Sequence, residues 1–192
     1  MPEQFLFTKE KGSLFNVKVW MKLLVKKSTP CYGNKNRNRD LKVRLMKIIE
    51  VKENKKQYLD LLLLADEQED MVDRYLDSGK MYVLDDNGVK CECVITDEKN
   101  DILEIKNIAT VPEYQGKGYA RALIEFIVNN YREQYAILQV GTGDSPLTIP
   151  FYEKCGFVRS HIISNFFTDN YDHPIYESGV QLVDMVYLQR PL

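Results

Sequence analysis

The strongest constraint in this sequence is a change of hydrophobic period around a pair of glycines. Ile102 to Val111 is the most apolar strand-like run, and Pro112 breaks it. Beyond Gln115-Gly116-Lys117-Gly118, the apolar residues Ala120, Leu123, Ile124, Ile127, Val128 and Tyr131 recur at i, i+3, i+4, i+7, i+8 and i+11. A strand, a tight turn and a helix with one apolar stripe must pack helix against sheet. Glycines in such a turn let the backbone approach a ligand closely. The N–H groups at the helix start lack intrahelical partners and sit at the positive end of the helix dipole, so the turn can hold a diphosphate without many cationic side chains. A Gly-x-Gly turn alone is weak, because it is also an ordinary strand-to-helix connection.

The rest of the chain alternates in the same manner. Residues 46 to 52 read as an opening strand, and residues about 56 to 66 and 69 to 78 as two helices, the second stopped at Gly79. Lys80 to Asp85 reads as a strand that turns through Asp86-Asn87-Gly88 into Val89 to Thr96, Asn-Gly being a strong hairpin signal. Tyr135 to Val140 is the next strand, and a short helix from about Pro146 to Lys154 ends at Cys155-Gly156. The strand Phe157 to Ser164, a long loop from Asn165 to Gly179 and a final strand Val180 to Leu188 complete the reading. The order β-α-α-β-β-β-α-β-α-β-β implies an α/β fold, a mixed central sheet with helices on both faces. At 192 residues and 44% apolar, the chain suits one globular domain.

Charge is divided unevenly. Residues 1 to 45 carry 11 Lys+Arg against Glu3, Glu10 and Asp40, a net of +8, so with −2 overall the remainder carries −10. This segment holds the polar run Gly33 to Asp40 and no sustained period, so it reads as a basic N-terminal extension to a domain spanning residues 46 to 192. Two readings of it stay open. It is a non-native stretch, with translation starting at Met46 behind a Lys42-Val43 encodable as a ribosome-binding site, or it is a genuine arm for nucleic acid or an acidic surface. No run approaches the ~20 apolar residues of a membrane span, and the apolar stretch Val17 to Val25 is interrupted by lysines and lacks a cleavage site. Cys31, Cys91, Cys93 and Cys155 lack metal-finger spacing, so buried or idle thiols are expected rather than a metal site, and the expected compartment is the cytoplasm.

The neighbours of the glycine turn carry a resemblance. Val111 to Ala120 resembles the acetyl-coenzyme A signature of the GNAT superfamily of N-acetyltransferases, Gln/Arg-x-x-Gly-x-Gly/Ala, filled by Gln115, Gly118 and Ala120. Phe151-Tyr152-Glu153-Lys154-Cys155-Gly156-Phe157 resembles that family's second helix ending, and the strand order is also similar to theirs. Gly141 to Ser145, Phe166 to Tyr171 and Val183 to Met185 look most like a little-characterised bacterial branch, the YvbK-like acetyltransferases. The resemblance covers about Met46 to Leu188.

The resemblance implies transfer of acetyl from acetyl-CoA directly to a primary amine, in a small molecule or a peptide, with a homodimer as one assembly. It implies that amides of Gly116, Lys117, Gly118, Tyr119 and Ala120, beside Gln115, bind the pyrophosphate, and that backbone of Ala109, Thr110 and Val111 pairs with the pantetheine arm. Tyr152 matches the family's general acid, and Glu104, eleven residues before Gln115, matches a glutamate that serves some members as base through water. A core aromatic and a solvated strand carboxylate are the competing readings of these two. His161 reads as a structural histidine, and Cys155 beside a helix-ending glycine as packing. In the loop, Asp169, Tyr171, Asp172, Tyr176 and Glu177 offer an aromatic and acidic surface for a cationic acceptor; a dimer contact is the alternative.

Other nucleotide chemistries fit less well. Gly116-Lys117 is followed by Gly118 rather than Ser or Thr, with no Gly five positions earlier, unlike a Walker loop. A Rossmann fingerprint belongs in the first strand-turn-helix unit, and this turn comes late. Two functions outside catalysis remain: an acyl-CoA sensor without turnover, and a nucleic-acid-associated protein using the basic arm, against which the acidic body argues.

Overall fold

In the computed structural model, which describes residues 19–22 and 45–192, the strands are β1 (Val19–Lys22), β2 (Leu45–Val51), β3 (Lys80–Asp85), β4 (Val89–Asp97), β5 (Ile102–Thr110), β6 (Ile137–Gly143), β7 (Val158–Ile163), β8 (Tyr176–Glu177), β9 (Val180–Gln181) and β10 (Met185–Pro191). Eight of them make one sheet in the order β1-β2-β3-β4-β5-β6-β10-β7, and β8 and β9 form a small ribbon. Every pairing in the sheet is antiparallel except β5 with β6. That parallel pair needs a crossover, and the helix α3 (Tyr119–Tyr131), predicted from the apolar stripe, supplies it. Of the basic extension, Val19–Lys22 adds an edge strand to β2. Cys31 and the polar run Gly33 to Asp40 lie outside the described residues.

Helices cover both faces. Leu123, Ile124 and Ile127 of α3 are fully buried against Ile95, Ile105 and Leu138, with α4 (Thr148–Lys154) closing the same core through Ile149 and Tyr152. Burying each such aliphatic side chain stabilises the fold by about 1.5–3 kcal/mol. On the other face, Leu62 of α1 (Leu59–Leu62) and Val72 and Leu76 of α2 (Glu69–Leu76) pack on Val51, Met81, Val83 and Val94. The expected hairpin is present: Asn87 and Gly88 have φ of 56° and 103°, and the Gly88 N–H donates to the Asp85 carboxylate at 3.0 Å.

Four elements differ from the sequence reading. The helix expected over 56 to 66 is a 3₁₀ turn, Lys55–Tyr58, followed by the four residues of α1. Lys55 Nζ is drawn onto the Leu76 and Gly79 carbonyls, 2.6 Å each, at the end of α2, so a tertiary cap sets the path of this segment. The loop Asn165 to Gly179 contains the helix α5 (Phe166–Asn170) and strand β8, organised around buried Phe167, Ile175 and Leu182. The final strand does not begin at Val180: Leu182 turns into that cluster, the Asp184 carboxylate accepts the Asn165 N–H at 2.8 Å, and the sheet resumes only at Met185. β6 extends to Gly143 because Gly141–Gly143 find partners on β10 rather than on β5.

Candidate functional site

Pairing between β5 and β6 runs from Ile102 opposite Ile137 to Ile105 opposite Val140, and stops. The cause lies on the other edge of β5. Val94 stands opposite Asn107 and Ile95 opposite Ile105, so Lys106 is an extra residue, a β-bulge. The bulge reverses the side-chain alternation. Leu103 and Ile105 face the core under α3, and so does Ile108, whereas Glu104 and Asn107 share the opposite face. Beyond the bulge β5 and β6 diverge, and a cavity of about 540 Å³ is lined by both strands, the segment between α1 and α2, α4 and the Phe166 to Leu182 connection.

The edge of β5 is open where β6 has left it. The Val111 N–H donates to the Lys90 carbonyl at 2.9 Å, so antiparallel alternation turns the backbone groups of Thr110 to the cavity side. The Gln115 amide reaches back to the Thr110 carbonyl at 3.3 Å. At the glycine turn, Gly116 and Gly118 have φ of +71° and +86°, and a Cβ on either would meet nothing within 4 Å. What demands glycine here is the backbone conformation, and the space above the turn is open to a ligand. Lys117 Nζ rests over the Tyr114 ring and donates to the Glu113 carbonyl, while the Tyr119 phenol is buried and donates to Asp86 at 2.7 Å.

Glu104 and Tyr152, on separate elements, both line the cavity. Glu104 is 4% exposed; its Oε1 accepts from Lys106 Nζ at 2.7 Å and its Oε2 from Gln139 Nε2 at 2.5 Å. Lys106 also pairs with Glu98 at 3.1 Å. Burial pulls the Lys106 ammonium down, but the Glu104 and Glu98 carboxylates outweigh that and hold it above its ordinary range. Tyr152 is wedged between Phe151 and Phe157 in edge-on contacts, with ring centroids 5.1 and 5.7 Å away. Burial, then the nearby Cys93 and Cys155, push its phenol well above the usual tyrosine range, so it is protonated at neutral pH.

The acceptor-side expectations divide. Tyr171, Tyr176 and Glu177 line the cavity; Asp169 and Asp172 do not, being exposed on the outer side of the connection, with Asp172 hydrogen-bonded to His173. The helical phase of α5 and the turn after it point those two carboxylates away. Asp66, which no sequence pattern singled out, takes their place: it lines the cavity, and its oxygens accept from the Tyr171 phenol at 2.9 Å and the Tyr75 phenol at 3.2 Å. Burial raises the Asp66 carboxyl, the two phenols partly offset it, and Asp66 forms no ion pair among the described residues. Asn107 ties the floor to α1, donating to the Leu62 carbonyl at 3.0 Å and the Tyr75 hydroxyl at 2.8 Å. His161 stacks on Tyr187 at 4.6 Å outside the cavity, and Cys91, Cys93 and Cys155 are buried in the core.

The acetyltransferase (GNAT) domain family matches residues 77–159. An uncharacterised N-acetyltransferase, YvbK, of Bacillus subtilis is 36% identical over 132 residues, covering 67% of this chain and 85% of that protein. A GNAT family acetyltransferase from Elizabethkingia anophelis, solved with acetyl-CoA bound, superposes with a TM-score of 0.73 at 33% identity, over 77% of this chain and 98% of its own. A Bacillus subtilis acetyltransferase solved with CoA has a TM-score of 0.70 at 33% identity, over 76% and 97%.

Proposed function

The chain belongs to the GNAT family of acetyl-CoA-dependent N-acetyltransferases, and from that premise we propose that its acceptor is a primary amine acetylated by direct transfer in the cavity between β5 and β6. The observation that carries the reading is the opening of Glu104 and Tyr152 into one cavity at the point where the two central strands part.

The residues suit the co-substrate. The turn Gly116-Lys117-Gly118 and the start of α3 receive the diphosphate through backbone N–H groups. The open edge at Thr110 receives the pantetheine amides as an added strand, with Ala109 and Val111 held on β4. The thioester then lies against the splay, where a main-chain N–H stabilises the oxyanion.

Glu104, directly or through one water, takes the proton that the amine must lose on attack. The nitrogen forms its bond to the carbonyl carbon, the carbon–sulfur bond breaks, and the Tyr152 phenol delivers its proton to the departing thiolate. Asp66 and Glu177, with the Tyr171 and Tyr176 rings, favour a cationic acceptor, because Asp66 is a half-buried carboxylate that forms no ion pair among the described residues. The free thiols Cys91, Cys93 and Cys155 suit a reducing compartment, so the cytoplasm is the proposed location.

A panel of primary amines, followed by free CoA, tests this reading. Release of CoA that depends on an amine, and falls in Glu104→Gln and Tyr152→Phe, is expected. Acetyl-CoA binding with no amine-dependent release would instead support a sensor.

A further inference from the structure

We propose that Gln139 is a positioning residue for Glu104, and that Gln189 sets the direction in which the Gln139 amide points. The proposal rests on the reading of Glu104 as the base. Glu104, Gln139 and Gln189 stand opposite one another on β5, β6 and β10, a row of polar side chains across three strands. Their strand neighbours Leu103, Leu138 and Leu188 face the core, so the row belongs to the face that carries the cavity.

Hydrogen bonding gives this row a direction. Gln189 Nε2 donates to Gln139 Oε1 at 3.1 Å, which leaves Gln139 Nε2 to donate to Glu104 Oε2 at 2.5 Å. The polarity is the only one that works with an ionised Glu104, because a carboxylate only accepts. Without Gln189, the Gln139 amide could turn its oxygen toward Glu104. The terminal torsion of a glutamate is broad, so a single donor leaves the carboxylate plane loosely defined. Here two donors, Gln139 on Oε2 and Lys106 on Oε1, hold both oxygens, and each oxygen keeps lone-pair capacity for the incoming proton. The two donors divide the work. Lys106 supplies charge from the bulge, shared with Glu98, while Gln139 is neutral and fixes orientation. Gln139 is 8% exposed, so its amide has little access to water as a substitute partner.

The test combines a spectroscopic and a kinetic readout. The ¹³C resonance of the Glu104 carboxyl, assigned by its loss in Glu104→Gln, is titrated in wild type, Gln139→Leu and Gln189→Leu. Removing a donor to the charged form should displace the midpoint upward in Gln139→Leu, and less in Gln189→Leu. Acetyl-CoA affinity by calorimetry should not change. With 1,4-diaminobutane, tryptamine and lysine amide as acceptors, Gln139→Leu should lower kcat about tenfold and shift the acidic limb of the pH profile upward. In a Glu104→Gln background the same substitution should lower it little. An unmoved resonance in both variants overturns the proposal, and so does an equal loss with and without Glu104. If the resonance moves but Glu104→Gln keeps wild-type turnover, the base assignment fails and catalytic positioning fails with it. Gln189→Leu guards against misfolding of the Gln139 variant, since it leaves Gln139 in place and lies one strand further from β5.

Discussion

The Tyr171 phenol donates a 2.9 Å hydrogen bond to Asp66 across 105 residues of chain. It is one of several links that seat the connection after β7 on the segment around α2: the Asp172 N–H reaches Gln68 at 3.3 Å, Arg74 reaches Asn170 at 3.4 Å, and His173 lies 3.8 Å from Glu67. One wall of the cavity is therefore made by two distant segments held together by polar bonds. This wall of the cavity consequently depends on their docking, and Asp66 stands at the joint.

Asp66→Asn should raise KM for a cationic amine severalfold while leaving the acetyl-CoA dissociation constant unchanged, and Glu177→Gln should act in the same direction. Asp169→Asn with Asp172→Asn should leave KM as it is, because those carboxylates face outward. Steady-state kinetics over the amine panel decide the matter; an equal response from both pairs would contradict the assignment of the acceptor side.

Tyr152→Phe should keep acetyl-CoA affinity and lower kcat by about 100- to 10,000-fold, the usual contribution of general acid catalysis. The ring contacts with Phe151 and Phe157 survive the change, so the melting temperature should move little. Wild-type kcat in this variant, with product release shown not to limit, would leave Tyr152 a packing residue.

Gly118→Val should abolish tight acetyl-CoA binding. Gly118 has a φ of +86° at the N-cap of α3, a conformation that a β-branched residue adopts only with strain of order 1–3 kcal/mol. The added side chain would also project into the open space above the turn. Calorimetry on the folded variant reads the effect, and unchanged affinity would remove the turn from the cofactor site.

Glu92 makes stability depend on pH. It is fully buried on β4 without an ion pair among the described residues, and burial pushes its carboxyl up to about 8, against 4.5 in the unfolded chain. The folded state keeps this proton where the unfolded state has lost it. Its contribution is therefore complete below about pH 4.5 and declines as pH rises through 8, by up to about 1.4 kcal/mol per unit. Glu92→Gln should flatten that decline, which urea unfolding of both proteins at pH 5, 7 and 9 would register as curves that diverge with rising pH. Parallel curves would mean that Glu92 does not titrate in this window.

Much of the geometry around the glycine turn was legible in the chain itself. The Pro112 break, the glycines at 116 and 118 and the stripe from Ala120 to Tyr131 are local signals, since turn conformation and helical period depend on residues a few positions apart. The Asn87-Gly88 hairpin and the position of Tyr152 before Gly156 were readable for the same reason. The acceptor side was not. Whether Glu104 faces the cavity depends on the bulge at Lys106, and that is defined by which residues of β4 stand opposite β5. Gln139 and Gln189 carry no local pattern, because their partners lie 35 and 50 residues away, and Asp66 meets its Tyr171 partner across 105 residues. Local sequence determined the glycine turn and the helix that follows it, whereas strand pairing and the docking of distant segments decided which carboxylates and amides meet around the cavity, since only packing sets side-chain direction across a sheet.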